Sequence, residues 1–321
     1  MKIEELKTLA DNIRAEVAKA IVGQEETIDH LLIALFSSGH VLLEGPPGTA
    51  KTFLAQCFSA TLNLDFGRIQ FTPDLMPGDI IGSNLFNFQT SQFTLTRGPI
   101  FCDLLLADEI NRTPPKTQAA MLEAMQERAV TIDGETHDLS SQFMVVATQN
   151  PIEQQGVYPL PEAQLDRFLL QIDVGYPSRD AERDILLATT GVQSGPPKQV
   201  MDAQGLIRAQ ELIRQMPVGE AVMTMILDLV RSCRPDDPTA TDALKQAVSW
   251  GPGPRAAQAL MLLVRARALL DGRLAPNASD VRALARPVLR HRMALGYGAR
   301  AEGIELGALI DAALSRLDVA A

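Results

Sequence analysis

The chain has 321 residues, of which 46% are hydrophobic and 21% charged, and its formal net charge is −10 at pH 7. This composition is that of a globular protein and excludes disordered and fibrous classes, while the length suggests about two domains. The acidic balance, with only 5% aromatic residues, disfavours a nucleic-acid-binding surface. No apolar run reaches membrane-spanning length, and residues 1–7 lack the apolar core of a signal peptide, so we expect a cytoplasmic protein without membrane insertion.

Two helices are predicted at the N-terminus, an amphipathic one over residues 2–20 and a second that ends near Ser38. Between them lies the break Ile21-Val22-Gly23-Gln24. An apolar turn with a glycine, placed just upstream of a phosphate-binding loop, often packs on the adenine ring. We therefore assign Val22 and Gly23 as candidate nucleotide-binding residues.

The stretch from Val41 to Thr52 predicts such a phosphate-binding loop. A short apolar run, typical of a buried strand, ends in a Gly/Pro turn, and Lys51-Thr52 then opens a helix-favouring segment. Backbone N–H groups and the helix N-terminus would bind the phosphates, Lys51 would reach the β- and γ-phosphates, and the Thr52 hydroxyl would hold Mg²⁺. The candidate loop residues are Gly45, Pro46, Pro47, Gly48, Thr49, Ala50, Lys51 and Thr52.

Ala50 is the one departure from the usual pattern of such a loop. The second glycine of the pattern normally stands at its position. The methyl group is tolerated there if the backbone φ of Ala50 is helical, and the prediction depends on that condition.

A strand predicted over residues 65–71 is followed by a loop and then by a hairpin over residues 85–96. Leu85–Phe88 and Gln92–Thr96 alternate apolar and polar residues around a polar link. A hairpin this small adds little to a core. It is therefore either a projecting contact element or a surface ornament.

The next predicted strand, over residues 100–109, ends in two carboxylates. Its apolar run is what a central parallel strand buried on both faces requires, and α/β sheets place ligands at the C-terminal ends of such strands. We predict that Asp108 holds Mg²⁺ through water and that Glu109 orients and polarises the attacking water. The alternative, a strand that ends in a solvated acidic turn, is disfavoured by the phosphate loop upstream.

Further along, a helix is predicted over residues 116–127, a second hairpin over residues 130–139 by its Asp-Gly turn, and another buried strand over residues 143–150. The last of these ends in polar amides. Asn150 at its tip would hold the nucleophilic water from the side opposite Glu109. Otherwise its amide only caps the end of the strand.

Arg167 lies in a short predicted helix. The last predicted strand, over residues 169–174, follows this helix directly. At this spacing Arg167 is not a core residue unless it is paired. It is either a phosphate-sensing arginine presented to the ATP of a neighbouring subunit, or a salt-bridge partner of Glu162 or Asp166.

A domain boundary is predicted after Gly175, which gives an α/β nucleotide-binding domain at residues 1–175 and an all-α lid at residues 176–321. Arg255 begins a lid helix after a Gly-Pro-Gly-Pro sequence and could reach a γ-phosphate. Pro287 should kink or interrupt the last of the predicted lid helices. These helices cover residues 202–216, 220–232, 240–248, 255–271 and 278–293.

Residues 251–300 are cationic within an acidic chain, because they hold many arginines against only Asp271 and Asp280. The segment is a solvated helical face, a contact with the acidic face of a neighbouring subunit, or a contact with phosphates. The arginines are those at positions 255, 265, 267, 273, 282, 286, 290, 292 and 300.

The three cysteines and four histidines show no metal-ligand spacing. The cysteines are far apart, and we interpret them as buried free thiols. The histidines are interpreted as ordinary surface or capping residues.

Five motifs in this order resemble those of the MoxR family of AAA+ ATPases, and the resemblance covers nearly the whole chain. Each motif alone is moderately specific, and five in sequence are highly so. Ala50 in the first motif is also what members of this family tend to show. The motifs are Gly-Pro-Pro-Gly-Thr-Ala-Lys-Thr, Leu-Leu-Ala-Asp-Glu-Ile-Asn-Arg, Ala-Thr-Gln-Asn-Pro, Leu-Pro-Glu-Ala-Gln-Leu-Asp-Arg-Phe and Gly-Pro-Gly-Pro-Arg-Ala.

The resemblance implies a P-loop AAA+ core, a parallel sheet flanked by helices, with two β-hairpin inserts and a C-terminal all-α lid. It makes residues 45–52 the Walker A loop, Asp108 and Glu109 the Walker B pair, and Asn150 sensor 1. Arg167 would be the arginine finger and Arg255 sensor 2, although Gly253-Pro254 replaces the more usual Ser-Pro before it. The first hairpin resembles the helix-2 insert and the second the pre-sensor-1 insert.

The implied activity is Mg²⁺-dependent ATP hydrolysis by a hexameric ring that remodels a client protein or matures its metal cofactor. Family members often act beside a partner with a von Willebrand factor A domain. Two alternatives stay open, an ATP-gated binding scaffold with little turnover and, less favoured, a nucleic-acid motor.

Overall fold

A computed structural model of the protein describes residues 1–88, 91–151, 156–190 and 195–320. The chain forms two compact units. We call Leu9–Leu160 with Ile172–Ile207 the α/β unit, and Met1–Thr8, Pro161–Gln171 and Arg208–Ala321 the helical unit. The predicted boundary after Gly175 stays a prediction. In the described residues, no helix combines the length and the apolar character needed to cross a membrane.

The strands and helices are numbered in chain order. The strands are β1 (Val41–Glu44), β2 (Phe66–Gln70), β3 (Gly82–Asn87), β4 (Gln92–Arg97), β5 (Leu104–Asp108), β6 (Ala129–Ile132), β7 (Glu135–Asp138), β8 (Met144–Gln149), β9 (Leu170–Asp173), β10 (Val248–Trp250) and β11 (Ala294–Leu295). The helices are α1 (Ile3–Ala18), α2 (Glu25–Phe36), α3 (Lys51–Leu62), α4 (Pro77–Ile81), α5 (Pro115–Glu127), α6 (Glu162–Leu165), α7 (Arg179–Thr190), α8 (Ala203–Gln215), α9 (Glu220–Ser232), α10 (Asp242–Ala247), α11 (Pro254–Leu270), α12 (Ala278–Leu289), α13 (Tyr297–Ala301) and α14 (Leu306–Ala320).

A five-stranded sheet in the order β2-β5-β8-β1-β9 organises the α/β fold. The pairs β2–β5, β5–β8 and β8–β1 are all parallel. β5 is buried along its whole length, as expected for a strand covered on both faces. Because parallel strands end at the same edge, the residues that follow β1, β5 and β8 meet there.

Two antiparallel hairpins, β3–β4 and β6–β7, stand apart from this sheet. The Asn84 amide donates to the Asp133 carboxylate at 3.0 Å and so links them. The predicted link of the first hairpin falls in part on residues 89 and 90, which lie outside the described residues. Its large apolar side chains are exposed, with Phe88 87% and Phe93 71% accessible, and Phe86 packs edge-on against both rings.

The helical unit has its core between α9, α11, α12 and α14. α12 continues two residues past Pro287 and then tightens into a 3₁₀ turn at Arg290–Arg292. The strands β10 and β11 pair in antiparallel fashion, a small pairing that the lid pattern did not predict. With this addition, the predicted parallel sheet flanked by helices, the two hairpins and the helical C-terminal region are confirmed.

Several local expectations differ from the structure. β5 begins at Leu104 rather than at residue 100, because Ile100 and Phe101 instead bond Ile80 and Gly98 in a turn. Helices α7 and α14 were not predicted. Three of the four histidines are buried, His30, His40 and His291, so the surface interpretation is wrong for them. The cysteines are buried and free, as predicted.

Several cationic residues of 251–300 form ion pairs inside the helical unit, which favours a structural role for part of this segment. Arg273 and Arg267 pair with Asp280, whose side chain is completely buried. Arg286 pairs with Asp311.

Candidate functional site

Residues 45–50 of the predicted phosphate loop lie between β1 and α3, and Lys51 and Thr52 open α3, as the pattern predicts for a strand–loop–helix unit. Residues of this loop line a cavity of about 300 Å³ together with Asp108, Glu109 and Asn150. At Gly45 a β-carbon would lie 2.1 Å from the carbonyl oxygen of Val174. Only glycine fits this close approach of two backbones.

Ala50 does not have the helical φ that was assumed for its methyl group to be tolerated. Its φ is 57° and its ψ 21°, which is the left-handed region, so the helical φ assumed from the sequence is wrong. A non-glycine residue in that region costs about 1–2 kcal/mol. The position therefore still has the backbone conformation that the missing glycine would adopt without strain.

Lys51 folds back over the loop. Its ammonium donates to the carbonyl oxygens of Gly45 and Pro46, both at 2.7 Å. Burial lowers the pKa of Lys51, against the opposing influence of the Asp108 and Glu109 carboxylates. The ammonium thus lies over the loop, where its acceptors are the neutral carbonyl oxygens of Gly45 and Pro46. A charged phosphate oxygen is a stronger acceptor and could replace them.

The Asp108 carboxylate at the end of β5 is held by three donors. The Thr148 hydroxyl donates to Oδ1 at 2.7 Å, while the Thr52 hydroxyl, at 3.3 Å, and the Arg68 guanidinium, at 2.9 Å, donate to Oδ2. The pairing of Thr52 with Asp108 puts a hydroxyl and a carboxylate oxygen side by side. Hard oxygen donors of this kind suit Mg²⁺, which takes few protein ligands and keeps water and phosphate as the others.

Glu109 follows β5 in a left-handed conformation, with φ at 57°. Its backbone N–H donates to the Thr148 hydroxyl at 2.8 Å. The Gln70 amide donates to its Oε2 at 2.9 Å, and the Arg112 guanidinium lies 3.3 Å from the same oxygen. Asn150, at the end of β8, is buried and lines the cavity.

Sequence reasoning missed Arg68, Gln70, Arg112 and Thr148 around the two carboxylates. Arg68 and Gln70 are two residues apart on β2, so both point to the same face of the strand that neighbours β5. The spacing of Arg68 and Gln70 on one strand could be seen in the sequence. That β2 is the neighbour of β5 could not. Thr148 was quoted only as part of a motif.

Val22 and Gly23 lie in the turn between α1 and α2, outside the cavity lining that the described residues define. The turn is tied to the phosphate loop, because the Gln24 amide donates to the Thr49 carbonyl oxygen at 3.0 Å. Gly23 has a φ of 75°, and a β-carbon there would lie 2.3 Å from that of Ala181. These facts give Gly23 a packing role, while its contact with an adenine ring stays a prediction.

Arg167 and Arg255 both belong to the helical unit. Arg167 lies between Asp166 and the completely buried Phe168. The Asp166 carboxylate pairs with Arg292 at 2.7 Å and with Arg255 at 3.8 Å. One acidic side chain thus joins the segment of Arg167 to the start of α11.

Comparison with known proteins agrees with this fold and site. A family model described as "ATPase family associated with various cellular activities (AAA)" matches residues 40–170, and an AAA lid domain model matches residues 241–313. In the crystal structure of a Cytophaga hutchinsonii protein assigned as an ATPase, 95% of the chain superposes on 98% of this one, with a TM-score of 0.91 and 36% identity.

Two curated relatives extend over most of the chain. Chaperone MoxR1 of Mycobacterium tuberculosis is 44% identical over 289 residues, which are 90% of this chain and 76% of that protein. Protein MoxR of Paracoccus denitrificans is 32% identical over 320 residues, which cover 94% and 93% of the two chains. The chain therefore belongs to the MoxR family of AAA+ ATPases.

Proposed function

We propose that this protein hydrolyses Mg²⁺-bound ATP and that an oligomeric ring of it, a hexamer by family resemblance, uses the cycle to remodel a client protein. The single observation that carries the proposal is the meeting of Lys51, Thr52, Asp108 and Glu109 around one cavity. These residues supply a cation for the phosphates, a hydroxyl and a carboxylate that can hold a metal, the carboxylate through water, and a second carboxylate that can act as a base.

In this proposal each side chain has one task. Lys51 moves from its loop carbonyls to the β- and γ-phosphates, and Thr52 and Asp108 hold Mg²⁺, which when bound neutralises charge that develops on the phosphates. Glu109 accepts hydrogen bonds from the attacking water and takes its proton, while Asn150 fixes the water from the other side. Arg167 of a neighbouring subunit stabilises the charge on the transferring phosphoryl oxygens, and Arg255 senses the γ-phosphate.

The client contact is assigned to the hairpin β3–β4. The name of one relative, Chaperone MoxR1, supports a chaperone-like role for this chain as well. The hairpin exposes Leu85, Phe86, Phe88 and Phe93, an apolar surface typical of sites that bind another protein. A partner with a von Willebrand factor A domain and the maturation of a metal cofactor in the client come from the family resemblance.

The test of hydrolysis is the Glu109→Gln variant. We expect ATP binding, measured by calorimetry with Mg²⁺, to change little, while steady-state phosphate release falls on the order of 100-fold or more. Glu127→Gln, at the exposed C-terminal end of α5, is the matched control and should keep full turnover. If Glu109→Gln retains turnover, the base is a different group.

The hairpin is tested separately with the double variant Phe88→Ser and Phe93→Ser. We expect its basal ATPase rate to equal that of the parent, because neither ring lines the nucleotide cavity. Glu109→Gln protein held in the ATP state should capture a client from its own cell extract, and the same variant with both serines should not. Equal capture by both proteins would make the hairpin a surface ornament.

An ATP-gated scaffold is the second candidate, and one observation favours it. The Glu109 carboxylate is engaged by Gln70 and Arg112, an arrangement in which ATP could bind without rapid turnover. Phosphate release near zero in the complete assembly with client would support this alternative. A nucleic-acid motor is weaker, because several arginines of residues 251–300 pair with carboxylates of the same unit. Salt-dependent gel shifts would be needed to revive it.

A further inference from the structure

Arg292, in the 3₁₀ turn after α12, is a deeply buried cation. Its side chain is only 2% exposed. Arginine is almost never buried to this degree unless its charge and its N–H groups are matched by partners. Apart from Val288, the partners of Arg292 lie more than 120 residues earlier in the chain, on the segment that carries Arg167.

The guanidinium binds the backbone on both sides of Arg167. Nε donates to the Asp166 carboxylate at 2.7 Å, and Nη2 donates to the carbonyl oxygens of Phe168 at 2.7 Å and Asp166 at 3.4 Å. Nη1 donates to the carbonyl oxygens of Val288 at 2.6 Å and Leu169 at 3.3 Å. The planar fork of five N–H donors is what makes such a set of bonds possible from one side chain.

Asp166 extends the arrangement to Arg255. Its Oδ1 accepts from Arg292, and its Oδ2 lies 3.8 Å from Nη1 of Arg255 in the first turn of α11. All four residues lie in the helical unit. The backbone on both sides of Arg167 is therefore bonded to Arg292, and the guanidinium of Arg255 is linked to the same residue through Asp166.

We propose that Arg292, acting through Asp166 and the carbonyl groups around Arg167, is the residue that positions Arg167 and Arg255 for the ATP phosphates. The inference rests on the proposed function, in which these two arginines touch the nucleotide. Arg292 itself touches no phosphate. A lysine in its place would keep the charge but would offer three donors from a single atom, so it could not bond the carboxylate and the carbonyls together.

The first test is the variant Arg292→Lys in the full chain. We expect its affinity for a fluorescent ATP analogue to stay within about twofold of the parent and its kcat to fall on the order of 100-fold, the size of effect that a misplacement of about 1 Å produces. Arg273→Lys is the matched control, because Arg273 also bonds a buried carboxylate, that of Asp280, in the same unit. It should lower the melting temperature and keep kcat.

A mixing experiment separates positioning from general damage. Subunits with Arg167→Ala keep Glu109, and subunits with Glu109→Gln keep Arg167, so a mixture of the two should recover activity if Arg167 acts on a neighbour. Arg292→Lys should then gain no activity with Arg167→Ala subunits, and it should recover activity with Glu109→Gln subunits to the extent that Arg255, like Arg167, acts on a neighbour. Recovery with Arg167→Ala, or an unchanged kcat of Arg292→Lys alone, would overturn the proposal.

Failure of the underlying function gives a different result. If Arg167→Ala alone keeps full turnover, Arg167 has no phosphate role and the positioning proposal falls with it. If Arg167→Ala is inactive and Glu109→Gln subunits do not rescue it, Arg167 acts on the ATP of its own subunit. Arg292→Lys must then still show the same loss of kcat as Arg167→Ala, with unchanged affinity for ATP. Should Arg292→Lys fail to fold, Asp166→Asn, which keeps the shape and removes the charge, takes its place in every arm.

Discussion

The Arg68 guanidinium donates to the Asp108 carboxylate across 2.9 Å, from β2 to the end of the neighbouring strand β5. The oxygen that accepts, Oδ2, is also the one that accepts from the Thr52 hydroxyl. A metal ion held by Thr52 and Asp108 would therefore meet a cation already in contact with one of its ligands. We therefore expect a bound Mg²⁺ ion and the Arg68 guanidinium to compete for this oxygen.

Replacement of Arg68 by alanine should strengthen Mg²⁺ binding. The pair is half-exposed on the arginine side, and exposed ion pairs contribute about 0.2–1 kcal/mol. We therefore expect the Mg²⁺ concentration at half-saturation, measured by binding of a fluorescent ATP analogue, to fall by up to about fivefold. Arg183→Ala, on the exposed face of α7, is the control. Weaker Mg²⁺ binding in Arg68→Ala would show that the guanidinium supports the metal site.

Thr148 connects the two carboxylate residues at the end of β5. Its hydroxyl donates to Asp108 Oδ1 at 2.7 Å and accepts from the Glu109 backbone N–H at 2.8 Å. Thr148→Val keeps the shape but leaves a buried acceptor and a buried donor unpaired, which should lower the free energy of unfolding by about 1–3 kcal/mol. We also expect a lower kcat, because Glu109 loses its backbone anchor. Thr148→Ser keeps the hydroxyl and should retain most of the stability and most of the kcat. If Thr148→Val and the parent protein are equally stable in urea unfolding, the Thr148 hydroxyl does not bridge Asp108 and Glu109.

The sequence predicted those parts of the site that lie within one strand–loop–helix segment. Lys51 and Thr52 could be found because they follow an apolar run and a Gly/Pro turn, and Asp108 and Glu109 because they end an apolar run. The contacts of Arg68 and Thr148 could not, because they depend on β2, β5 and β8 being neighbours, an order that no local pattern specifies. Arg292 and Asp166 are further apart still, at 126 residues.

Backbone conformation was the second limit of sequence reasoning, and Ala50 illustrates it. The alanine suggested a helical φ, but the loop enforces a left-handed one on whatever residue stands there. Such a conflict between residue and backbone is invisible to a pattern that records residue types alone. It leaves a measurable strain in the folded protein.

Ala50→Gly should accordingly stabilise the protein. Relief of the left-handed conformation contributes about 1–2 kcal/mol, and the greater freedom of glycine in the unfolded chain takes back about 0.4–1 kcal/mol. The net gain expected in urea unfolding is about 0.5–1 kcal/mol. Ala60→Gly, at an exposed position of α3 with ordinary helical backbone, should instead lose up to about 1 kcal/mol. A destabilised Ala50→Gly variant would show that the loop accommodates the methyl group without strain.

His40 should make the stability of the α/β unit depend on pH. The imidazole Nδ1 accepts from the Val145 N–H at 3.0 Å, so Nε2 carries the proton and donates to the Met125 carbonyl oxygen. Burial, and to a smaller degree the charge of Arg128, lowers the pKa of His40 from 6.5 to about 4. The neutral ring is therefore favoured in the folded state.

The sign of the effect follows from these two pKa values. Above pH 6.5 His40 is neutral in both states, and its stabilising effect is fully present. As the pH falls from about 6.5 to about 4, the unfolded chain takes up the proton first, so the free energy of unfolding should decrease by about 3 kcal/mol from this group. His291, whose pKa is also lowered by burial, acts in the same direction within the helical unit.

His40→Gln tests this dependence, because a glutamine amide can keep one donor and one acceptor without titrating in this range. Urea unfolding of the variant at pH 7, 5.5 and 4.5 should show a clearly smaller loss of stability than the parent. His137→Gln, on the hairpin β6–β7, should keep the slope of the parent. An unchanged slope in His40→Gln would mean that the buried imidazole is not the group that takes up the proton on unfolding.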